Sequence, residues 1–321
     1  MDDFISEITS NGKFFRADWN KNFNPTTAAV AGEWHSLFRG GGNPAADAIL
    51  NTGTNLLAQQ LLDSTPNATG ILHGGNVTPD YKHIVNASAF SAAATTMPAI
   101  AMLVDLLLFY RVTSVTTTTA QNTTNTLFAF SNFTASGNVL THTNINLRPY
   151  STVQVSNSGG ALPTGLSAAT NYFVIKLTDL TCSLATSYAN AVAGTAITLS
   201  SAGTGTNTIN NLLPRYTDGA GVQAMMLNTN ATALGAATPN LSIGYTNSIA
   251  TAARATPTTL PIGKTAASNS LILYSGTGAG KYGPALPLQA GDAGIRSVEN
   301  ITCATSYVSG EFSVVLFKPL L

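Results

Sequence analysis

The sequence predicts a mainly β protein: a jelly-roll-like antiparallel sandwich with an inserted small β-domain and an N-terminal arm with short helices. Three observations predict this. Short apolar segments of period two recur between turns rich in glycine, asparagine, serine and proline. The longest nearly apolar run, Met97 to Tyr110, continues as Arg111-Val-Thr-Ser-Val-Thr, which suits a strand better than a helix. Only 9% of the residues are charged, against about 25% in ordinary soluble domains.

The 321 residues suffice for one large β-domain or two of ordinary size. Composition divides them into an arm over 1–62, a sandwich body over 63–126 and 211–321, and an insertion over 127–210. The arm has aromatic and apolar anchors in polar sequence: Phe4, Ile5, Ile8, Phe14, Phe15 and Trp19. Asn20 to Pro25 breaks it, and Thr26 or Thr27 offers a cap for a short helix through Trp34, His35, Leu37 and Phe38. Arg39-Gly-Gly-Gly-Asn-Pro44 is a firm break. Ala45 to Leu62 then reads as mostly helical or irregular, weakened by Gly53. With little core of its own, this arm serves either as a wrap onto a neighbouring subunit or as a lid over its own body. Phe14, Phe15, Trp19, Trp34 and Phe38 are its candidate interface residues.

Residues 63–92 are turn-rich. His73 and His83 stand ten apart there, which is no metal-ligand spacing. Pro98 to Val115 is the first strong core strand. Ile100, Met102, Val104, Leu106, Leu108, Tyr110 and Val112 keep one face, while Leu103, Leu107 and Phe109 make the other apolar too. Such a strand is buried on both faces, and Asp105 within it needs a partner, for which Arg111 is a candidate if strand pairing brings it near. Thr116 to Thr126 is a polar linker.

The insertion shows Val153 and Val155 in one short strand, Tyr172 to Leu177 in a stronger one, and Ile197 and Leu199 in a third. Turns fall at Ser158-Gly159-Gly160 and Ala202-Gly203-Thr204-Gly205. After the exit at Asn210 to Pro214 come strands around Val222 to Leu227, Leu241 to Tyr245, Leu271 to Tyr274, Ile295 to Val298, Ile301, and Phe312 to Phe317. Short strands at wide spacing, joined to the 98–115 strand, fit two packed sheets.

The phrase NSGGALPTGLSAATNYFVI, followed by AGTAITLSSAGTG, resembles a β-module that recurs in structural proteins of tailed bacteriophages. The resemblance spans roughly residues 133–210. The order LQAGD, IRSV, FSVVLFKPL is also similar to the last strands of phage head-surface and tail proteins. It implies a virion component, not an enzyme.

Several chemistries find no pattern. Ser275-Gly-Thr-Gly-Ala-Gly-Lys281-Tyr282 departs from a phosphate loop at both ends, with Ser275 for the first glycine and Tyr282 for the magnesium-holding hydroxyl. The acids are scattered and His35, His73, His83 and His142 do not cluster with a nucleophile. No calcium loop appears, and no cofactor is expected. Lys+Arg and Asp+Glu are both 14, without a basic stripe, so nucleic acid is not an expected partner. The Met97–Tyr110 run is too short and too polar to span a membrane, and the start lacks the apolar stretch of a signal peptide. Cys182 and Cys303 have the character of buried small apolar residues.

Association remains. A chain of zero net charge repels its own kind weakly. The expected function is a head decoration or cement subunit in the virion, assembled in the host cytoplasm, with the major capsid protein and copies of itself (dimer or trimer) as partners. A neck, tail or fibre subunit is the alternative. Another is a receptor- or glycan-binding adhesion protein, using the inserted domain on a host surface glycan. Aromatic residues exposed over a groove in that domain would favour adhesion, and a large apolar base with an extended arm would favour cement.

Overall fold

A computed structural model describes residues 18–22, 34–45, 56–60, 70–71, 84, 101–130, 133–134, 138–142, 147–229, 234–235, 240–257, 271–273 and 283–320. Their strands open with β1 (Asn20–Asn22), β2 (Trp34–His35), β3 (Gly41–Asn43), β4 (Ala58–Gln60), β5 (Val104–Val112) and β6 (Gln121–Asn122). Next come β7 (Thr126–Phe130), β8 (Phe133–Thr134), β9 (Val139–Thr141), β10 (Thr152–Ser158), β11 (Tyr172–Lys176), β12 (Thr181–Ala185) and β13 (Thr206–Asn211). The last are β14 (Gln223–Asn228), β15 (Leu241–Asn247), β16 (Arg254–Ala255), β17 (Leu271–Leu273), β18 (Ile295–Cys303) and β19 (Phe312–Pro319). A short helix, α1 (Tyr188–Val192), follows β12. The fold is mainly β, in several antiparallel sheets.

Two sheets make a sandwich. One has six strands in the order β2-β17-β14-β19-β5-β4, the other four in the order β16-β15-β18-β6. A single buried cluster joins them: Leu108, Tyr110, Met226, Val314 and Leu316 from the first meet Ile243, Tyr245, Val298 and Ile301 from the second. The far face of the six-stranded sheet is buried as well. Phe109, Met225, Leu227, Val315 and Phe317 lie there, with Trp34, Phe38 and Ala285 packed against them. The expectation of a strand apolar on both faces thus falls on β5, and β19 has the same character.

The alternation along β5 is broken at one point. Leu316 pairs with Leu108, but Phe317 pairs with Leu106, so Leu107 is an extra residue. This bulge shifts the parity. Leu108, Tyr110 and Val112 face the inter-sheet core, whereas Val104 and Leu106 lie with Phe109 on the opposite side. The expectation of one uniform face is therefore corrected from Val104 to Val112, and Ile100 lies outside the described residues.

Asp105 pairs with Arg215, not with Arg111. Arg215 Nη2 and Nε donate to its two oxygens at 2.6 and 2.8 Å. Arg111 instead makes a bidentate pair with Glu311 at 2.9 and 2.8 Å. Six residues along one strand separate Asp105 and Arg111 by about 20 Å, beyond reach of each other.

The short helices expected in the arm are also corrected where it is described. Trp34 and His35 pair with Ile272 and Leu271, and only Leu37–Arg39 makes a 3-10 turn. Ala58–Gln60 pairs with Leu108–Tyr110 as an edge strand. Its helix-compatible composition yields to the unpaired edge of β5, because ladder bonds and burial outweigh a weak local preference. Thr26 and Thr27 lie outside the described residues.

Residues from Thr126 to Asn211 supply the whole seven-stranded sheet, in the order β7-β13-β10-β11-β12-β9-β8. It has its own buried cluster, including Val153, Val155, Tyr172, Val174, Cys182, Leu184 and Ile209. On its other face α1 covers Ile175 and Ala185, with Ser187 Oγ capping the helix by accepting from the Asn190 N–H. The turns sit where glycine is required: Gly159 and Gly205 have positive φ, and a Cβ on Gly205 would lie 2.5 Å from the Ser158 oxygen.

Ile197 and Leu199 do not form the expected third strand. The Ile197 N–H donates to Leu184 O, that of Leu199 to Asn138 Oδ1 and that of Ser200 to Thr164 O. With partners on three separate segments there is no ladder, and the apolar alternation reflects packing alone. The strand is β13, which pairs with β10 from Asn211↔Val153 to Thr206↔Ser158. Its asparagines and threonines hide it from a hydrophobicity pattern.

The turn before β18 is tied to β15 and β16 by one carboxylate. Asp292 accepts from Tyr245 Oη at 2.6 Å, Asn247 Nδ2 at 2.7 Å and Arg254 Nε at 2.9 Å. Arg254 first, then Tyr245, holds its carboxyl at about 2. Burial, aided by Asp292, pushes the Tyr245 phenol up to about 12.

Two predictions follow from these cores. Asp292 is depressed in the folded state, so its contribution is complete above the ordinary carboxylate range near pH 4 and is lost as pH falls toward 2. Asp292→Asn is expected to lower the urea midpoint at pH 7, and the gap from wild type should close between about pH 4 and pH 2. A gap independent of pH would remove the carboxylate from this role. Cys182 and Cys303 are free and fully buried in different clusters, with burial raising their thiols to about 12 and about 11. A thiol reagent is expected to leave both unmodified in the native protein. In a denaturant series, Cys182 should report opening of the seven-stranded unit and Cys303 opening of the sandwich.

Candidate binding cleft

The path between the two cores runs through a buried glutamine. Gln60, 1% exposed at the end of β4, donates through Nε2 to Thr152 O, to Asn211 Oδ1 at 2.6 Å and to Leu212 O at 3.0 Å. Its Oε1 accepts from the Thr152 N–H at 2.9 Å. Arg148 reaches Gln60 O at 3.1 Å, and Asn211 Nδ2 reaches Ala58 O at 2.6 Å. A buried amide with every polar atom matched fixes one geometry, since any slip leaves unpaired groups in a dry site. Tyr110 assists from the core by donating to Asn125 Oδ1 at 3.2 Å.

This polar junction forms the back of a cleft of about 680 Å³ between the sandwich and the seven-stranded unit. Asn125, Asn211, Leu212 and Leu213 lie at its base with Leu108. The seven-stranded unit supplies Gln154 and the β10–β11 connection at Ala169, Thr170 and Asn171. The sandwich supplies Thr217, Arg296 and Ser297. Each wall is held in place. Gln154 Nε2 donates to Asn171 Oδ1 at 2.9 Å and to Ala169 O at 3.3 Å. On the other side, Gly219 at φ +77 lets its turn close on β18; a Cβ there would lie 2.5 Å from Ile295 O.

The cleft is polar and carries one positive charge. Arg111, Arg215 and Arg254 are spent on carboxylates and Arg148 on Gln60 O. Arg296 is exposed and makes no ion pair among the described residues. Among the described residues no Asp or Glu lines the cleft; neighbouring Asp218 turns its carboxylate to the Ala220 N–H at 3.1 Å. Among the described residues no aromatic side chain lines it, so a ligand here would be held by charge and hydrogen bonds rather than by ring stacking.

Three of the expected interface residues, Trp19, Trp34 and Phe38, are among the described residues. Trp34 and Phe38 pack half-buried on the far face of the six-stranded sheet, and Trp19 lies half-buried just before β1. Phe14 and Phe15 lie outside the described residues, as does Ser275 to Tyr282. Of the tyrosines beside turns, Tyr172 and Tyr245 are core, Tyr150 and Tyr188 stack at 5.7 Å, and Tyr216 lies under Lys318 Nζ at 4.2 Å. Among the described residues, no group of three His, Cys, Asp or Glu is placed to hold a metal ion, and no helix is long and apolar enough to cross a membrane. Comparison with known protein families, with curated proteins and with solved structures gives no match.

Gln60→Ala is expected to cost about 3 kcal/mol, because it strands buried groups on Thr152 and Asn211 rather than removing one exposed bond. Chemical denaturation measures the loss, and amide exchange at Thr152 should quicken ahead of that at Val314. Unchanged exchange at Thr152 would show that Gln60 does not carry the junction.

Proposed function

We propose that the chain is a structural subunit of a tailed-bacteriophage particle, in the first place a head decoration or cement subunit that binds across major capsid subunits. The observation that most supports this is the pairing of two separately cored β-units in a chain with few charges, several of which pair with one another. Bidentate pairs such as Arg111–Glu311 and Arg215–Asp105 bind distant segments together. With only 9% of its residues charged, the chain has little charge to desolvate against a partner. The phrase that resembles phage structural proteins falls on β10, β11 and their connection.

On this reading the sandwich is a jelly-roll-like body, the seven-stranded unit is an inserted domain that projects from it, and the work is binding without a chemical step. Each bound copy adds buried interface, stabilising the shell by mass action against the pressure of packaged DNA. Dimers or trimers suit a closed symmetric lattice. A neck, tail or fibre position is the second reading. It draws on Leu177 and Leu180, about half exposed at the β11–β12 turn, where an outward contact would bury them.

Electron cryomicroscopy of the intact particle tests the assignment. The expected result is density for this chain at capsomer junctions over the whole shell. Copies confined to a ring or fibre at one vertex would transfer it to the second reading, and particles lacking the chain would overturn both.

A further inference from the structure

We propose that the cleft between the seven-stranded unit and the sandwich is a binding site for a carboxylate-bearing sugar unit, a uronate of an acidic polysaccharide, with Arg296 as its anchor. The inference is independent of the virion assignment, since it concerns the purified chain alone.

Arg296 has hydrogen-bonding capacity left unused among the described residues. Arg296 is the one arginine among those with described side chains whose donors meet no carboxylate or carbonyl of the chain, and it stands at a cleft rather than on a convex surface. A guanidinium presents a flat fork that matches a carboxylate in two parallel bonds. No acidic residue among those described lines the cleft to neutralise it. Across the gap, Gln154 takes up Asn171 Oδ1, which leaves the Asn171 amide N–H groups as donors. Thr170 on the same wall, and Thr217 and Ser297 on the Arg296 side, add hydroxyls that both donate and accept.

These groups define the ligand. One fixed positive charge among amides and hydroxyls suits one negative charge among vicinal hydroxyls. The cleft volume of about 680 Å³ lies inside the range of about 300–1,000 Å³ usual for small-ligand sites. A neutral sugar would lack both a charge partner and an aromatic face to stack on. An acidic peptide would supply the carboxylate and backbone amides but not a row of vicinal hydroxyls, and triglutamate in the test separates the two. The site is also built to be rigid: the Gln60 junction fixes its base, and Gln154 and Gly219 fix its walls, so little ordering is needed on binding.

Calorimetric titration of the full-length chain with trigalacturonate tests this, beside neutral galactotriose and a triglutamate peptide. Saturable binding of trigalacturonate that weakens with added salt is expected, with no saturable binding of galactotriose. Arg296→Gln should weaken trigalacturonate by about tenfold or more, the size of one charge-assisted bidentate contact. Arg296 is exposed, so this variant should melt with wild type. Asn171→Ala, on the facing wall, should weaken binding by about fivefold, and it reads the same site without touching the charge. The proposal is overturned if trigalacturonate does not saturate, if both variants bind as wild type does, or if triglutamate binds as tightly as the sugar.

Discussion

The structure turns on a strand that has no solvent side. Phe312, Val314 and Leu316 of β19 point into the core between the sheets, while Val315 and Phe317 point to the opposite face. On its edges β19 pairs with β5 along Val112 to Val104 and with β14 along Asn228 to Gln223. A stretch buried on four sides must be apolar or internally hydrogen-bonded: Phe312 and Val314 to Phe317 are apolar, and the buried Ser313 donates to Thr229 Oγ1. The four-stranded sheet covers one face. Residues 34–38 and Ala285 cover the other. The edge of β5 is closed in turn by β4, whose last residue, Gln60, meets the seven-stranded unit. The junction that shapes the cleft is thus reached from β19 in two steps.

Charge plays a small but long-range part. Arg111 and Glu311 are 200 residues apart, and Asp105 and Arg215 are 110 apart. Both pairs begin on β5 and hold the chain on either side of the seven-stranded unit. With so few charged groups in the chain, these pairs act as registration points more than as surface solvation. Asp292 serves similarly within the smaller sheet, gathering Tyr245, Asn247 and Arg254 onto one turn.

Much of this was legible where apolar alternation and ladder pairing coincide, as in Val153 with Val155, Leu241 to Tyr245 and Phe312 to Phe317. It failed where they separate. Ile197 and Leu199 alternate without a ladder, and β13 has a ladder with almost no apolar signal. Ala58–Gln60 looked helical because its strand character comes from the exposed edge of β5, which local sequence does not encode. The partner of Asp105 was misread for a related reason: the nearest opposite charge in sequence lies along the strand rather than across it. The cleft was not legible at all. Its walls come from Gln154, Asn171, Thr217 and Arg296, polar residues on four separate segments, each unremarked until folding brings them together.

The position of β19 also sets the order in which the molecule can assemble. β5 leaves the ribosome about 200 residues before the strand that completes it, a wait of about 10–40 s at ordinary rates of synthesis. During that interval the residues described in the buried cluster of the seven-stranded unit, all between Leu140 and Ile209, have already been made. The nascent chain therefore holds the sequence of one buried cluster while the other still lacks its central strand. The apolar faces of Leu106 to Tyr110 are a standing target for chaperones, or for the β5 of a neighbouring chain on the same message, until the last strand slides between β5 and β14.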